Sequence, residues 1–145
     1  MLTKDYPDHH DAELILKLYE MRRESVMRAS RAAITADFWP RTWDDVLAVT
    51  KPDHPLNAAY RQVGTYWEMV YGMAKHGVVH SEFMLESCGE GIYLFVRVEP
   101  YLQQLRELNP FAYRNVEWIV NNSERGKALH ELFRKRAQAV LAARS

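Results

Sequence analysis

At 145 residues the chain has the length of one domain, able to bury roughly 70% of the surface its unfolded form exposes. A composition of 48% hydrophobic and 26% charged residues excludes a disordered or fibrous polymer, and nineteen basic residues balanced by nineteen acidic ones argue against a general nucleic-acid binder. The single cysteine, Cys88, excludes an intrachain disulfide and a multi-cysteine metal centre, and it suits a reducing compartment.

In chain order, Asp8 is a candidate N-cap, and the spacing of Leu14, Ile15, Leu18, Met21, Ser25 and Ala29 predicts a first helix from about His9 to Ala33. Phe38-Trp39-Pro40-Arg41 ends it. Thr42 and Asp45 have the spacing of a capping box, in which hydroxyl and carboxylate satisfy opposite backbone donors, so a short helix Trp43 to Val49 is expected. Lys51-Pro52-Asp53-His54-Pro55 reads as a turn, because each proline disfavours helix in the residue before it.

The next helix, about Leu56 to His76, is apolar around most of its circumference and carries Tyr60, Tyr66, Trp67 and Tyr71. Such a helix belongs at the centre of the core, with Gly77 as its left-handed C-terminal cap. Ser81 is expected to cap a short helix from Glu82 to about Ser87, which stops at Cys88-Gly89-Glu90-Gly91. Local propensity makes Ile92 to Val98 a strand, but no segment offers it a partner, and Leu94, Val98, Tyr101, Leu105 and Leu108 keep helical spacing. A helix from about Gly91 to Glu107, interrupted near Pro100, is therefore predicted. Asn109-Pro110 opens a further helix to about Val120. Ser123 caps the last one, on which Leu129, Leu132, Phe133, Ala137, Val140 and Leu141 form an apolar face. The fold class is all-α: a single-domain irregular bundle, residues 1–145, of about five to seven helices.

Arg61, Thr65, Glu68, Gly72 and Lys75 form one narrow polar stripe on the central helix. Covered by another helix, Glu68 becomes a buried carboxylate that needs a partner such as Arg97 or Arg106, and its pKa is then open to perturbation. The structural alternative is a solvated edge or an ion pair that holds two helices in register. A single carboxylate without a second acid, base or nucleophile specifies no reaction, so no catalytic residue is assigned.

His9 and Glu13 share a helix face, and His76 and His80 flank Gly77, but neither pair makes a complete ligand set. No metal or cofactor is expected. Basic residues gather as Arg22, Arg23, Arg28 and Arg31, and again as Arg125, Lys127, Arg134, Lys135, Arg136 and Arg144. Glu20, Glu24, Glu124 and Glu131 interrupt both sets, which favours solvated faces laced with ion pairs over a nucleic-acid patch. The aromatic segment Phe38-Trp39-Pro40 with Trp43 is the candidate contact surface, the alternative being that it folds back over the core.

Tyr66-Trp67-Glu68, the following Gly72 and Gly77, and Val98-Glu99-Pro100-Tyr101-Leu102 with Arg106 resemble a group of small bacterial proteins classed as a domain of unknown function. In that group an aromatic-aromatic-Glu helix precedes a glycine, a short acidic helix, and a helix ending in Pro and Arg. The resemblance covers the middle third of the chain and implies a helical Ile92 to Val98, but no activity, substrate or cofactor. Its members often carry a membrane-spanning N-terminus. Here no run approaches the roughly 20 apolar residues of a span, and Met1 to Asp8 hold no apolar signal region.

The leading expectation is a cytoplasmic helical module that acts through protein–protein contacts, self-association included, with no membrane partner. An alternative is a small-molecule or metal-binding bundle, perhaps enzymatic, with Glu68, Tyr71, Arg97 and Arg106 around a polar pocket. A third is a nucleic-acid-associated protein that uses the basic C-terminal helix.

Overall fold

The computed structural model describes residues 4–144. Among them lie nine α-helices and no strand: α1 (His9–Arg22), α2 (Ser25–Asp37), α3 (Trp43–Val49), α4 (Asn57–Lys75), α5 (Ser81–Leu85), α6 (Glu90–Val98), α7 (Leu102–Leu108), α8 (Arg114–Asn122) and α9 (Glu124–Ala143). The all-α expectation holds, with more helices than the five to seven expected. Part of the excess is a break between α1 and α2, where a single helix to Ala33 was predicted. Glu24 is extended, with ψ of 142°, and its carboxylate accepts from the Met27 amide as an N-cap. The helical period continues through this point, so periodicity alone conceals the break.

Local signals set most other boundaries. Asp8 and Asp11 form a reciprocal capping box on α1, and Thr42 and Asp45 form one on α3. Gly77, with φ of 73°, ends α4 in a Schellman turn: the Val78 amide reaches Met73 O at 2.8 Å and the Gly77 amide reaches Ala74 O at 3.1 Å. A 3-10 turn, Glu99–Tyr101, contains Pro100 and separates α6 from α7. Ile92 to Val98 is helical because α6 is buried on nearly all sides, which overrides its strand propensity.

Three expectations shift. The cap of α5 is His80, whose Nδ1 accepts from the Phe83 amide at 3.0 Å, rather than Ser81. Asn109-Pro110 opens a turn and not a helix; Asn109 Oδ1 accepts from the Phe111 amide, and α8 starts only at Arg114 after a left-handed Tyr113. On α9, Leu132 is 48% exposed, because it stands about 120° from the Gly126–Phe133–Ala137 line that meets the core.

Every helix contributes to the buried cluster, and α4 supplies Val63, Tyr66, Trp67, Val70, Tyr71 and Ala74. It packs against α2 on one side and α8 on the other, while α9 lies across α6 and α8. Gly91 lets the start of α6 meet α4: a Cβ there would stand 2.7 Å from atoms of Trp67 and Tyr71.

Charged side chains repeatedly satisfy the ends of helices other than their own. The fully buried Asp11 of α1 accepts from the His80 amide at the start of α5, and Glu82 of α5 accepts from the Arg125 amide and the Ser123 hydroxyl at the start of α9. Conversely, Arg41 donates to Leu141 O near the end of α9, and Arg97 donates to Ile34 O and Phe38 O at the end of α2. Anions meet helix N-termini and cations meet C-termini, as the helix dipole favours.

Candidate functional site

Between α4, α7 and the turn that leads into α8 lies a groove of about 420 Å³. Tyr60, Gly64, Thr65 and Glu68 supply the α4 wall; Leu105 and Leu108 of α7 face them, with Phe111 and Tyr113 at the turn. Gly64 leaves the α4 wall open, since a Cβ there would meet nothing within 4 Å. At the rim, Phe111 is 80% exposed and Leu108 58% exposed.

Glu68 is half-buried on this wall, and its partner is a helix end. The N-cap of α8, Tyr113, offers no side-chain cap. Glu68 fills that role from α4: Oε2 accepts from the Asn115 amide at 3.0 Å and Oε1 from the Val116 amide at 2.9 Å. The Asn115 side chain returns to Glu68 O at 3.0 Å, across a gap kept open by Gly72. Burial raises the Glu68 pKa; the two amides, then Arg106 and Lys75, only partly offset that rise.

Tyr113 has φ of 58°, a conformation uncommon for a residue with a side chain. Its ring is buried, and its hydroxyl donates to the Tyr60 hydroxyl at 2.8 Å. Burial pushes both phenols upward, Tyr113 well above the usual range, so both stay neutral near pH 7. Two hydroxyls that share one hydrogen bond leave one proton without an acceptor among the described residues, at the groove wall.

The structure does not gather the four expected ligand residues. Only Glu68 lines the groove. Arg106 stands nearby but is engaged by Glu117 at 3.0 Å and Ala112 O at 3.0 Å. Tyr71 is wholly buried and donates to Cys88 O. Arg97 is 5% exposed, with its guanidinium 4.1 Å from the Trp39 ring centroid and 4.6 Å from that of Tyr93. Burial lowers the Arg97 pKa to about 10.

The aromatic contact segment also turns inward. Phe38 is a core residue at 4% exposure, packed against Tyr60, and so is not a surface anchor. Trp39 and Trp43 are half-buried against the core, with Trp39 Nε1 donating to Thr35 O. The basic sets are dispersed: Arg22 is buried against Tyr66 and Cys88, Arg31 pairs with Glu90, and Arg134 and Lys135 pair with Glu131. Among the described residues no group of three or more His, Cys, Asp and Glu is placed to hold a metal ion, and no helix is long and apolar enough to cross a membrane.

Sequence reading missed Tyr60, Gly64, Leu108, Phe111 and Tyr113 as a group. One signal was available: two glycines, Gly64 and Gly72, inside an aromatic-rich helix, where each lowers helix stability and so asks for a reason in packing or function.

A family model, Domain of unknown function (DUF4760), matches residues 7–123. The chain belongs to the DUF4760 family. The likeness legible in the middle third thus extends from the start of α1 to the end of α8, and the whole groove lies within the DUF4760 region. No curated protein and no solved structure matches the chain.

Proposed function

We propose that this DUF4760 domain is a binding module that receives an apolar group of a protein partner in the groove over Gly64. The observation that carries the reading is the vacancy at Gly64, framed by the exposed Phe111 and Leu108. Glycine in a helix interior costs about 0.5–1 kcal/mol relative to alanine. The close packing of this chain accounts for Gly72, Gly89, Gly91 and Gly126, whose added Cβ atoms would each meet another side chain or backbone within 3 Å. Gly64 has no such internal reason, and a partner group seated on α4 supplies one.

The neighbouring lining suits recognition. It combines apolar side chains with one unaccepted tyrosine hydroxyl proton, and Glu68 is engaged by the α8 amides. A small molecule in the same groove is the second reading, favoured by its volume of about 420 Å³ and its mainly apolar lining.

The test is a photo-crosslinking amino acid at Thr65, an exposed groove position, with a control at exposed Asp53. Cross-links to protein from position 65, absent from position 53 and lost in Phe111→Ala, are expected. No protein cross-link from position 65 refutes the reading.

A further inference from the structure

We propose that a second cavity, between α6, α9 and the chain at Pro40, binds a small monocarboxylate with an apolar body, held by the guanidinium of Arg97. The cavity measures about 240 Å³ and shares no lining residue with the groove over Gly64, so this inference is independent of the groove reading. It is smaller than the roughly 300–1,000 Å³ of sites that take drug-sized ligands, which calls for a small occupant. Pro40, Val96, Pro100, Ala137 and Leu141 give it apolar walls, and Arg97 is the buried charge on its lining.

Arg97 is short of an anion. Both of its hydrogen bonds leave from Nη1, to Ile34 O at 2.9 Å and Phe38 O at 3.1 Å, and neither acceptor carries a charge. Its Nε is buried with no acceptor among the described residues. The Nε–Nη2 edge is one with which arginine grips a carboxylate through two parallel N–H bonds. Trp39 and Tyr93 stack on the guanidinium, yet burial still takes its pKa down to about 10, so rings and carbonyls offset the lost water only in part. Two other guanidiniums sunk into the fold are better served: Arg106 has Glu117, and Arg22 uses both terminal nitrogens, on Tyr66, Cys88 and Ser87 O. The other charges on the cavity lining are matched as well. Glu99 lies 2.8 Å from His130 Nε2, and Arg134 lies 2.6 Å from Glu131. A charge withdrawn from water is costly unless it is paired, so one unmatched cation calls for one negative charge. A monocarboxylate supplies it. A phosphate, at about −1.5 to −2 near pH 7, would bring an excess beside Glu99.

The test is nitrogen-15 NMR of the full chain during titration with sodium hexanoate. It follows the Arg97 Nε–H resonance, assigned by its absence from Arg97→Lys. A saturable shift of that resonance is expected. Hexanamide, similar in shape but uncharged, is expected to bind at least about tenfold more weakly, the scale of a charge-assisted hydrogen bond. Inorganic phosphate is expected to leave the resonance unmoved. Ala137→Met fills the cavity from α9 without altering Arg97, and it is expected to abolish hexanoate binding while the thermal melt shows a folded chain. An Arg97 resonance unmoved at roughly 10 mM hexanoate overturns the proposal, as do hexanamide bound equally well and hexanoate binding unchanged in folded Ala137→Met. Hexanoate that shifts the amides of Gly64 and Thr65 in place of Arg97 also overturns it, and points to the groove. The titrations of the wild type decide the matter by themselves should Ala137→Met fail to fold.

Discussion

The carboxylate of Glu68, in the middle of α4, caps a helix 47 residues further along: its two oxygens accept from the Asn115 and Val116 amides at 3.0 and 2.9 Å. These are the second and third residues of α8, the amides that an N-cap side chain ordinarily satisfies. Glu68→Ala is therefore expected to destabilise the fold by about 1–2 kcal/mol and to expose the first turn of α8. Urea unfolding gives the first quantity, and hydrogen exchange over Arg114 to Glu117 gives the second. Unchanged exchange there would mean that α8 does not depend on this cap.

The glycines separate by sign. Gly64→Ala is expected to raise stability by about 0.5–1 kcal/mol, because a Cβ meets open space on a helix. Gly91→Ala should cost about 1–3 kcal/mol, because its Cβ would lie 2.7 Å from Trp67 and Tyr71 atoms at the α4–α6 crossing. Thermal melts of the two variants against wild type check both signs.

Arg97 holds the end of α2 from inside the core. Replacing it with Met keeps much of the volume between Trp39 and Tyr93 but removes the donors to Ile34 O and Phe38 O. A loss of about 1–3 kcal/mol is expected. A neutral or stabilising result, measured by urea unfolding, would show that the desolvation cost of the guanidinium exceeds what its hydrogen bonds return.

The acid response is set partly by Asp11. Burial alone would raise its pKa, but hydrogen bonds from the Asp8 amide, the Lys4 ammonium and the His80 amide hold it below the ordinary aspartate value of 3.8. A folded-state pKa below the unfolded one gives stability that is complete above about 3.8 and is lost as the pH falls through the folded value. The stability gap between wild type and Asp11→Asn should stay constant from pH 7 to about 5 and narrow below about pH 4. Glu68 works in the opposite direction, since its pKa is raised; its linked stability is complete below its unfolded pKa and is lost as the pH rises through the folded value.

Much of the fold was legible because its signals are local. Asp8 and the Thr42–Asp45 box mark starts, Gly77 marks an end, and Pro100 marks an interruption. The break at Glu24 was not legible, because the helical period runs through it and Glu is a weak N-cap type. Nor was the true start of α8, which depends on a left-handed Tyr113 held by a hydroxyl 53 residues away. Glu68 was singled out for a stripe position, yet its partner is backbone, which no residue pattern encodes. The groove emerged only from the packing of α7 and the 109–113 turn beside Gly64.

The central claim is that the face over Gly64 exists for contact, and Gly64→Leu tests it most directly. The substitution fills the hollow without touching the core. With the photo-crosslinker at position 65, protein cross-linking is expected to fall to the level of the position 53 control while the thermal melt is unchanged or higher. Cross-linking that persists at wild-type yield in a folded Gly64→Leu variant would contradict the account.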